Sequence, residues 1–123
     1  MSYDKLCDEL LLMTDQIVAT IVEHRDGYRV WEEIRKEIVK MDQDKLSFAL
    51  LRAAQLVEKA KDYRKELGNL YCNISEFENL LLFIFPLKDN HALIVVAEPK
   101  MKEFRPFISN VKGVIIKNDL AGF

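Results

Sequence analysis

The chain has 123 residues, of which 50% are hydrophobic and 31% charged, with only four glycines and three prolines. This length fits a single domain over residues 1–123, and the composition excludes a disordered or low-complexity protein. A formal net charge of −2 offers no basic surface for nucleic acid, and no apolar run approaches the roughly 20 residues of a membrane-spanning helix. Because the start of the chain also lacks a signal-peptide pattern, we expect a cytoplasmic protein with no membrane partner.

The first third of the chain predicts a short helix followed by a hairpin. Ser2 is a candidate N-cap, and apolar residues at helical spacing continue to about Met13. Residues 17–22 are dense in β-branched side chains, which favour a strand. Asp26-Gly27 suits a tight turn because glycine accepts a positive φ, so the chain is expected to return as a second strand over residues 28–31.

Residues 31–41 are compatible with more than one structure. Trp31, Ile34, Ile38 and Met41 fall at helical spacing, and charged residues occupy the other side. A short helix, a helical extension of the second strand and a loop all remain open for this segment. One helix over residues 3–41 is less favoured, because packing would have to override both the β-branched run and the Asp-Gly turn.

A long helix over residues 44–67 is the clearest single element. Asp42 or Asp44 can cap its start, and Gly68 can end it in the left-handed conformation. One broad stripe is expected to face the core, and it consists of Leu46, Ala49, Leu50, Ala53, Leu56, Val57, Ala60, Tyr63 and Leu67. The alanines in this stripe would let the helix approach a sheet or a second helix closely.

Two large apolar residues lie off that stripe. Phe48 and Leu51 are about 160–200° around the helix, on the side where a helix that packs on one face should be polar. We therefore expect that another surface covers these two side chains.

The second half of the chain predicts three strands and a closing helix. Residues 70–77 suit a partly polar edge strand flanked by Tyr71 and Phe77. Two apolar runs over residues 80–87 and 91–97, joined by the polar corner at residues 88–90, predict a hairpin that is covered on both faces. The last helix should start near residue 105, and residues 114–116 are either its end or extended.

The resulting order, α-β-β-α-β-β-β-α, predicts an α+β fold (an α/β sandwich) with a five-stranded, mostly antiparallel sheet and flanking helices. With its hairpin at residues 17–31, long helix at 44–67 and strand meander at 70–97, the chain resembles the roadblock/LC7 domain family, whose architecture is profilin-like. Through residues 3–9 and 86–95 it is also similar to a family of short archaeal proteins of unknown function. Its connection over residues 31–41 is longer than is usual among roadblock domains.

Chemical motifs are absent from the sequence. His24 and His91 adjoin predicted turns, and no spacing of His, Cys, Asp and Glu suits a metal ion. There is no glycine-rich phosphate loop and no nucleophile motif. Cys7 and Cys72 are interpreted as two free thiols. We therefore predict no catalytic, cofactor-binding or metal-binding residue, and a protein that is not an enzyme.

The preferred functional hypothesis is a dimeric interaction module. The resemblance implies dimerisation through residues 44–67 and 70–77, as a homodimer or as a heterodimer with a related domain, and a small GTPase or a signalling complex as the partner. The predicted interface residues are Phe48, Ala49, Leu51, Ala53, Ala60, Tyr71 and Phe77.

The alternative is a small-ligand sensor of profilin-like or PAS-like architecture. Its pocket would lie between the sheet and the helices, and its candidate lining residues are Trp31, Phe83, Phe85, Phe104 and Phe107. Core packing is the favoured interpretation of these aromatic residues, because no convergent polar groups accompany them.

Overall fold

The computed structural model describes residues 3–35 and 40–123, which form a five-stranded antiparallel sheet with helices on both faces. The strand order is β2-β1-β5-β4-β3. The predicted fold class and order of elements are confirmed. The elements are α1 (Tyr3–Met13), β1 (Ile17–His24), β2 (Arg29–Ile34), α2 (Gln43–Lys59), a 3₁₀ turn (Ala60–Tyr63), α3 (Arg64–Leu67), β3 (Asn73–Glu76), β4 (Leu81–Leu87), β5 (His91–Ala97) and α4 (Phe104–Lys117).

The first hairpin is longer than predicted. Strand β2 continues to Ile34 because its residues pair with β1 as far as Ala19, so the single helix over residues 3–41 is wrong and residues 31–34 are strand. Arg35 then fastens the end of β2: its backbone N–H donates to the carbonyl of Val18 (2.7 Å), and its guanidinium donates to carbonyls at the end of α1. Ser2 and residues 36–39, where the N-cap and part of the ambiguous segment were predicted, lie outside the described residues.

The long helix is interrupted. Asp42 caps α2 by accepting a hydrogen bond from the N–H of Lys45 (2.8 Å), as predicted. The expected single helix over residues 44–67 is wrong, because the hydrogen bonding tightens into the 3₁₀ turn before α3. Gly68 does adopt a positive φ of 82°, but its ψ of −174° lies outside the left-handed helical region.

The central hairpin is as predicted, with Leu87 paired to His91 across a corner in which Asp89 and Asn90 have positive φ. Strand β3 is shorter than predicted. Helix α4 runs through Gly113, so the extended alternative for residues 114–116 is wrong, whereas Pro106 does lie in the first turn.

The two faces of the sheet carry separate hydrophobic clusters. Helices α1 and α4 cover one face, which we call the two-helix face, and residues from Leu6 on α1 to Ile115 on α4 pack there against alternate side chains of β4 and β5. Helix α2 covers the other face, the α2 face, where it contacts Ile84 and Ile94. The burial of β4 and β5 on both faces explains their nearly continuous apolar sequences.

Candidate interaction surface

Helix α2 has a buried side and an exposed apolar side. Its buried residues are Leu50, Ala53, Ala54 and Val57. Large apolar side chains also point to solvent along α2 and the two turns that follow it, and we call them the outer α2 surface: Phe48 (66% exposed), Leu56 (42%), Tyr63 (60%) and Leu67 (80%). A helix that serves only as the cover of one sheet face would carry polar residues here.

The prediction from the sequence was wrong for three of these side chains. Leu56, Tyr63 and Leu67 were assigned to the core stripe, but they are exposed. The predicted stripe spanned too much of the helix circumference, and apolar character alone cannot tell a core residue from an exposed one. The interruption of the helix after residue 59 also changes the direction of the side chains that follow.

The predicted alanine stripe does not share one face. Ala53 is buried against the sheet, Ala60 is half-buried at the start of the 3₁₀ turn, and Ala49 is exposed. Close approach to the sheet therefore depends on Ala53 and on its neighbour Ala54, which is 1% exposed. Ala49 is instead available to a partner beside Phe48.

Leu51 differs from Phe48, although both lie off the predicted stripe. A Cβ atom placed on Gly27 would lie 3.2 Å from Cδ1 of Leu51, so this leucine contacts the turn between β1 and β2. Leu51 is accordingly half-buried within the domain, whereas its exposure was expected. Gly27 has a φ of 96°, so a side chain there would be strained as well as crowded.

The second part of the candidate surface is the sheet edge at β3. Among the described residues this strand pairs with β4 only; Ile74 on the strand and Phe77 directly after it are exposed. Tyr71 is also half exposed, but Nζ of Lys112 lies 3.5 Å from the centre of its ring, and the ring of Phe123 packs edge-on against it. Tyr71 thus already contacts Lys112 and Phe123 of its own chain, whereas the side chains of Phe77 and Ile74 remain exposed to solvent.

The two histidines meet at one end of the sheet. His24 and His91 are paired in the register of β1 and β5, and their ring centres are 4.8 Å apart. Tyr28 stacks on His24, and Tyr3 packs against His91. Burial and the nearby carboxylate of Asp89 raise the pKa of Tyr3. No local pattern could reveal this cluster, because it depends on which residues of two distant strands are paired.

The thiols and carboxylates show no metal-binding arrangement among the residues described. Cys7 and Cys72 are free, as predicted, and burial raises the pKa of Cys7 to about 11 and that of Cys72 to about 12. Within residues 3–35 and 40–123, no group of three or more His, Cys, Asp or Glu side chains is arranged to hold a metal ion. Among the same residues, no helix has the length and apolar character to cross a membrane.

Four of the five aromatic residues considered for a ligand pocket pack in or against the core of the two-helix face, and Trp31 is the exception. Phe83 packs edge-on against Phe104 and Phe107, at centroid distances of 5.6 and 4.9 Å. Phe85 is fully buried in the same cluster, and Trp31 lies apart from it on β2. These rings contact one another and the surrounding aliphatic side chains, so core packing accounts for them.

Comparison with solved structures shows that the chain has the roadblock/LC7-like fold. A roadblock/LC7 domain from Streptomyces avermitilis superposes with a TM-score of 0.61 and 15% identity, over 94% of this chain and 99% of that one. MglB from Myxococcus xanthus superposes with a TM-score of 0.66 and 14% identity, over 97% and 98%. LokiProfilin1, in a complex with rabbit actin, gives 0.55 and 16%, over 95% of each chain. At these identities the likeness concerns the fold. No family model matches the sequence, and no curated protein does.

Proposed function

We propose that this protein is a non-enzymatic interaction module that forms a dimer through the outer α2 surface and the edge strand β3. The observation that carries the proposal is the exposure of Phe48, Leu56, Tyr63 and Leu67 beside a fully packed inner face of α2. Covering a side chain of this size is worth roughly 1.5–3 kcal/mol, so several such residues together can drive association.

The edge strand β3 forms the second part of the proposed interface. Strand β3 follows α3 after a short connection, and no strand formed by the described residues lies on its outer side. Pairing two copies of β3 would continue the sheet across the dimer, while α2 of each copy would contribute apolar area. Because β3 has only four residues, the helix surface supplies most of the interface energy.

The partner of the dimer is proposed from the resemblance to roadblock domains. It is a small GTPase or a signalling complex, and the second subunit is another copy of this chain or a related domain. MglB, one of the proteins with the same fold, has been solved in a tetrameric arrangement, which is an assembly of that protein. A ligand-sensing role has less support, since four of its five candidate lining residues pack in or against the core and the fifth, Trp31, is exposed on β2.

The test compares self-association of three proteins by sedimentation at micromolar concentration. We expect the wild type to be a dimer of the 14.4 kDa chain. The double variant Phe48→Glu with Leu56→Lys should sediment as a monomer with an unchanged circular dichroism spectrum, because both residues are exposed in the subunit. The control is Leu12→Lys, which replaces another exposed leucine (87%) on α1 and should remain a dimer.

Three outcomes would contradict this proposal. A wild type that stays monomeric throughout the micromolar range would exclude the homodimer. A double variant that associates as tightly as the wild type would exclude the outer α2 surface as the interface. Loss of association in the Leu12→Lys control would move the interface to α1.

A further inference from the structure

The two histidines of the chain form a pair across the centre of the sheet. His24 is the last residue of β1 and His91 is the first residue of β5, and the two are direct partners in the antiparallel register. Directly opposed residues point to the same side of a sheet, and here the ring centres are 4.8 Å apart with the ring planes at 77°. The sequence contains no other histidine, so any binding through imidazole must take place at this pair.

The separation of the two rings suits a shared metal ion. Zinc binds an imidazole nitrogen at about 2.0–2.1 Å, so two imidazoles on one ion, at a nitrogen–zinc–nitrogen angle of roughly 90–110°, have ring centres about 4.5–5.2 Å apart. The separation of 4.8 Å between His24 and His91 lies within this range. The two strands thus already hold the rings at the distance that a common ion needs.

His91 is oriented by a backbone oxygen. Its Nδ1 atom lies 3.4 Å from the carbonyl oxygen of Lys88. Because a carbonyl oxygen can only accept, this contact assigns the ring proton to Nδ1 and the lone pair to Nε2. A histidine that binds a metal ion usually has its other nitrogen bonded to a backbone carbonyl or a carboxylate, and His91 has this arrangement before any ion binds.

Asp26 supplies the corresponding oxygen for His24. Its carboxylate Oδ2 lies 3.5 Å from Nδ1 of His24, and its backbone N–H donates to the same nitrogen at 3.1 Å. That N–H places the ring proton of neutral His24 on Nε2 in the free protein. An ion at Nε2 would move this proton to Nδ1, which would then donate to the Asp26 carboxylate. No proton is released, and the N–H of Asp26 can bond to water, because Asp26 is exposed.

The basic side chains at this end of the sheet already face carboxylates. Lys61 and Arg25 contact the carboxylate of Glu58 at 2.9 and 3.5 Å, and Lys88 contacts Asp119 at 3.6 Å. Their positive charges are therefore partly neutralised, which lowers the repulsion that a bound cation would meet.

We propose that His24 and His91 together bind one divalent transition-metal ion that prefers imidazole nitrogen, such as Zn²⁺, and that Asp26 and the carbonyl of Lys88 orient the two rings. Two protein ligands leave the other coordination positions to water. The ion would connect the end of β1 to the start of β5. The site contains no residue of the outer α2 surface or of β3, so it does not depend on the proposed dimer.

The test titrates the wild type with zinc chloride by isothermal titration calorimetry, and magnesium chloride supplies the control ion. We expect one Zn²⁺ per chain and no binding of Mg²⁺, which prefers oxygen ligands. His24→Gln and His91→Gln should each abolish measurable binding, because each removes one of two protein ligands. Zn²⁺ should also raise the Tm of the wild type but not of either variant, since a ligand of the folded state stabilises that state.

A change at Asp26 tests the orienting role separately from the ligands. Asp26→Ala should weaken Zn²⁺ binding by roughly tenfold, because no carboxylate then accepts the proton on Nδ1 of His24. The matched control is Asp44→Ala, which removes an exposed carboxylate in the first turn of α2 and should bind within about twofold of the wild type. Circular dichroism without added metal checks that both variants are folded.

A measurement on the wild type needs no variant. In protein labelled with ¹⁵N only at histidine, Zn²⁺ should shift the Nε2 resonances of both rings, and the chain has only these two. This experiment keeps the proposal testable if a histidine variant proves unfolded.

Any of four results would overturn the proposal. A wild type that binds no Zn²⁺ up to millimolar concentration would show that the two rings are only packed together. Binding that survives in a folded His24→Gln or His91→Gln variant would place the ion on other side chains. Loss of binding in a folded Cys7→Ala variant with Cys72→Ala would assign it to the thiols. A shift of the ¹⁵N resonances in one ring alone would exclude a shared ion.

Discussion

The two faces of the sheet are packed in different ways. On the two-helix face, Phe83, Phe85 and Phe107 form a core of large rings between α1, α4 and the sheet. On the α2 face, Ala53 and Ala54 bring a single helix close to the sheet. Large side chains between two helices and a sheet complete a core, whereas small side chains bring α2 near the sheet while Phe48 and Leu56 stay exposed on its far side.

The variant with the largest expected effect on stability removes a ring from the core of the two-helix face. Phe83→Ala should lower the free energy of unfolding by about 3–5 kcal/mol, because a fully buried ring is replaced by a cavity. Urea denaturation followed by circular dichroism measures this change. Phe104→Ala, at a half-buried ring that contacts Phe83, serves as the comparison and should cost less. A loss below about 1 kcal/mol for Phe83→Ala would show that this face can collapse around the gap.

The variant with the next largest expected effect tests whether α2 must lie close to the sheet. Ala54→Leu should destabilise the protein by about 1–3 kcal/mol, because Ala54 is 1% exposed and the added atoms must push the helix away from the sheet. Ala49→Leu is the matched control, with the same substitution on the exposed side of the same helix, and should change stability by less than about 0.5 kcal/mol. Equal effects at both positions in urea denaturation would contradict the difference between the two sides of α2.

The smallest expected effect depends on pH. Glu23 is 1% exposed on β1, and its Oε1 atom has no hydrogen-bond partner among the described residues. Burial raises the pKa of Glu23, and the charge of Arg29 opposes this only in part. The folded state therefore holds the proton more tightly than the unfolded state does. The stability that this proton contributes is present below the ordinary pKa of a glutamate and is lost as the pH rises through the raised value.

Glu23→Gln should remove this dependence. Relative to the wild type, the variant should be more stable at pH 7 than at pH 4, as measured by urea denaturation at each pH. A stability difference between variant and wild type that stays constant from pH 4 to pH 8 would show that burial of this carboxyl group has no energetic consequence.

Much of the fold was predictable because its signals are local. The apolar runs of β4 and β5 and the turn residues between them determine a hairpin without reference to the rest of the chain. The extension of β2 was not predictable in this way, since Trp31 and Ile34 also fit a helical spacing and only pairing with β1 selects the strand. The candidate surface was predictable in part: Phe48 was identified from its position around the helix, whereas Leu56, Tyr63 and Leu67 were assigned to the core.

The sequence by itself determined the order of helices and strands, the central hairpin, the two candidate caps Asp42 and Asp44, of which Asp42 is used, and the free thiols. These features depend on residues that are near one another along the chain. Only the tertiary structure decided that Leu51 contacts Gly27 and that His24 meets His91. Each of these contacts joins segments that are distant in sequence, and a pattern of apolar and polar residues contains no information on which distant surfaces become neighbours.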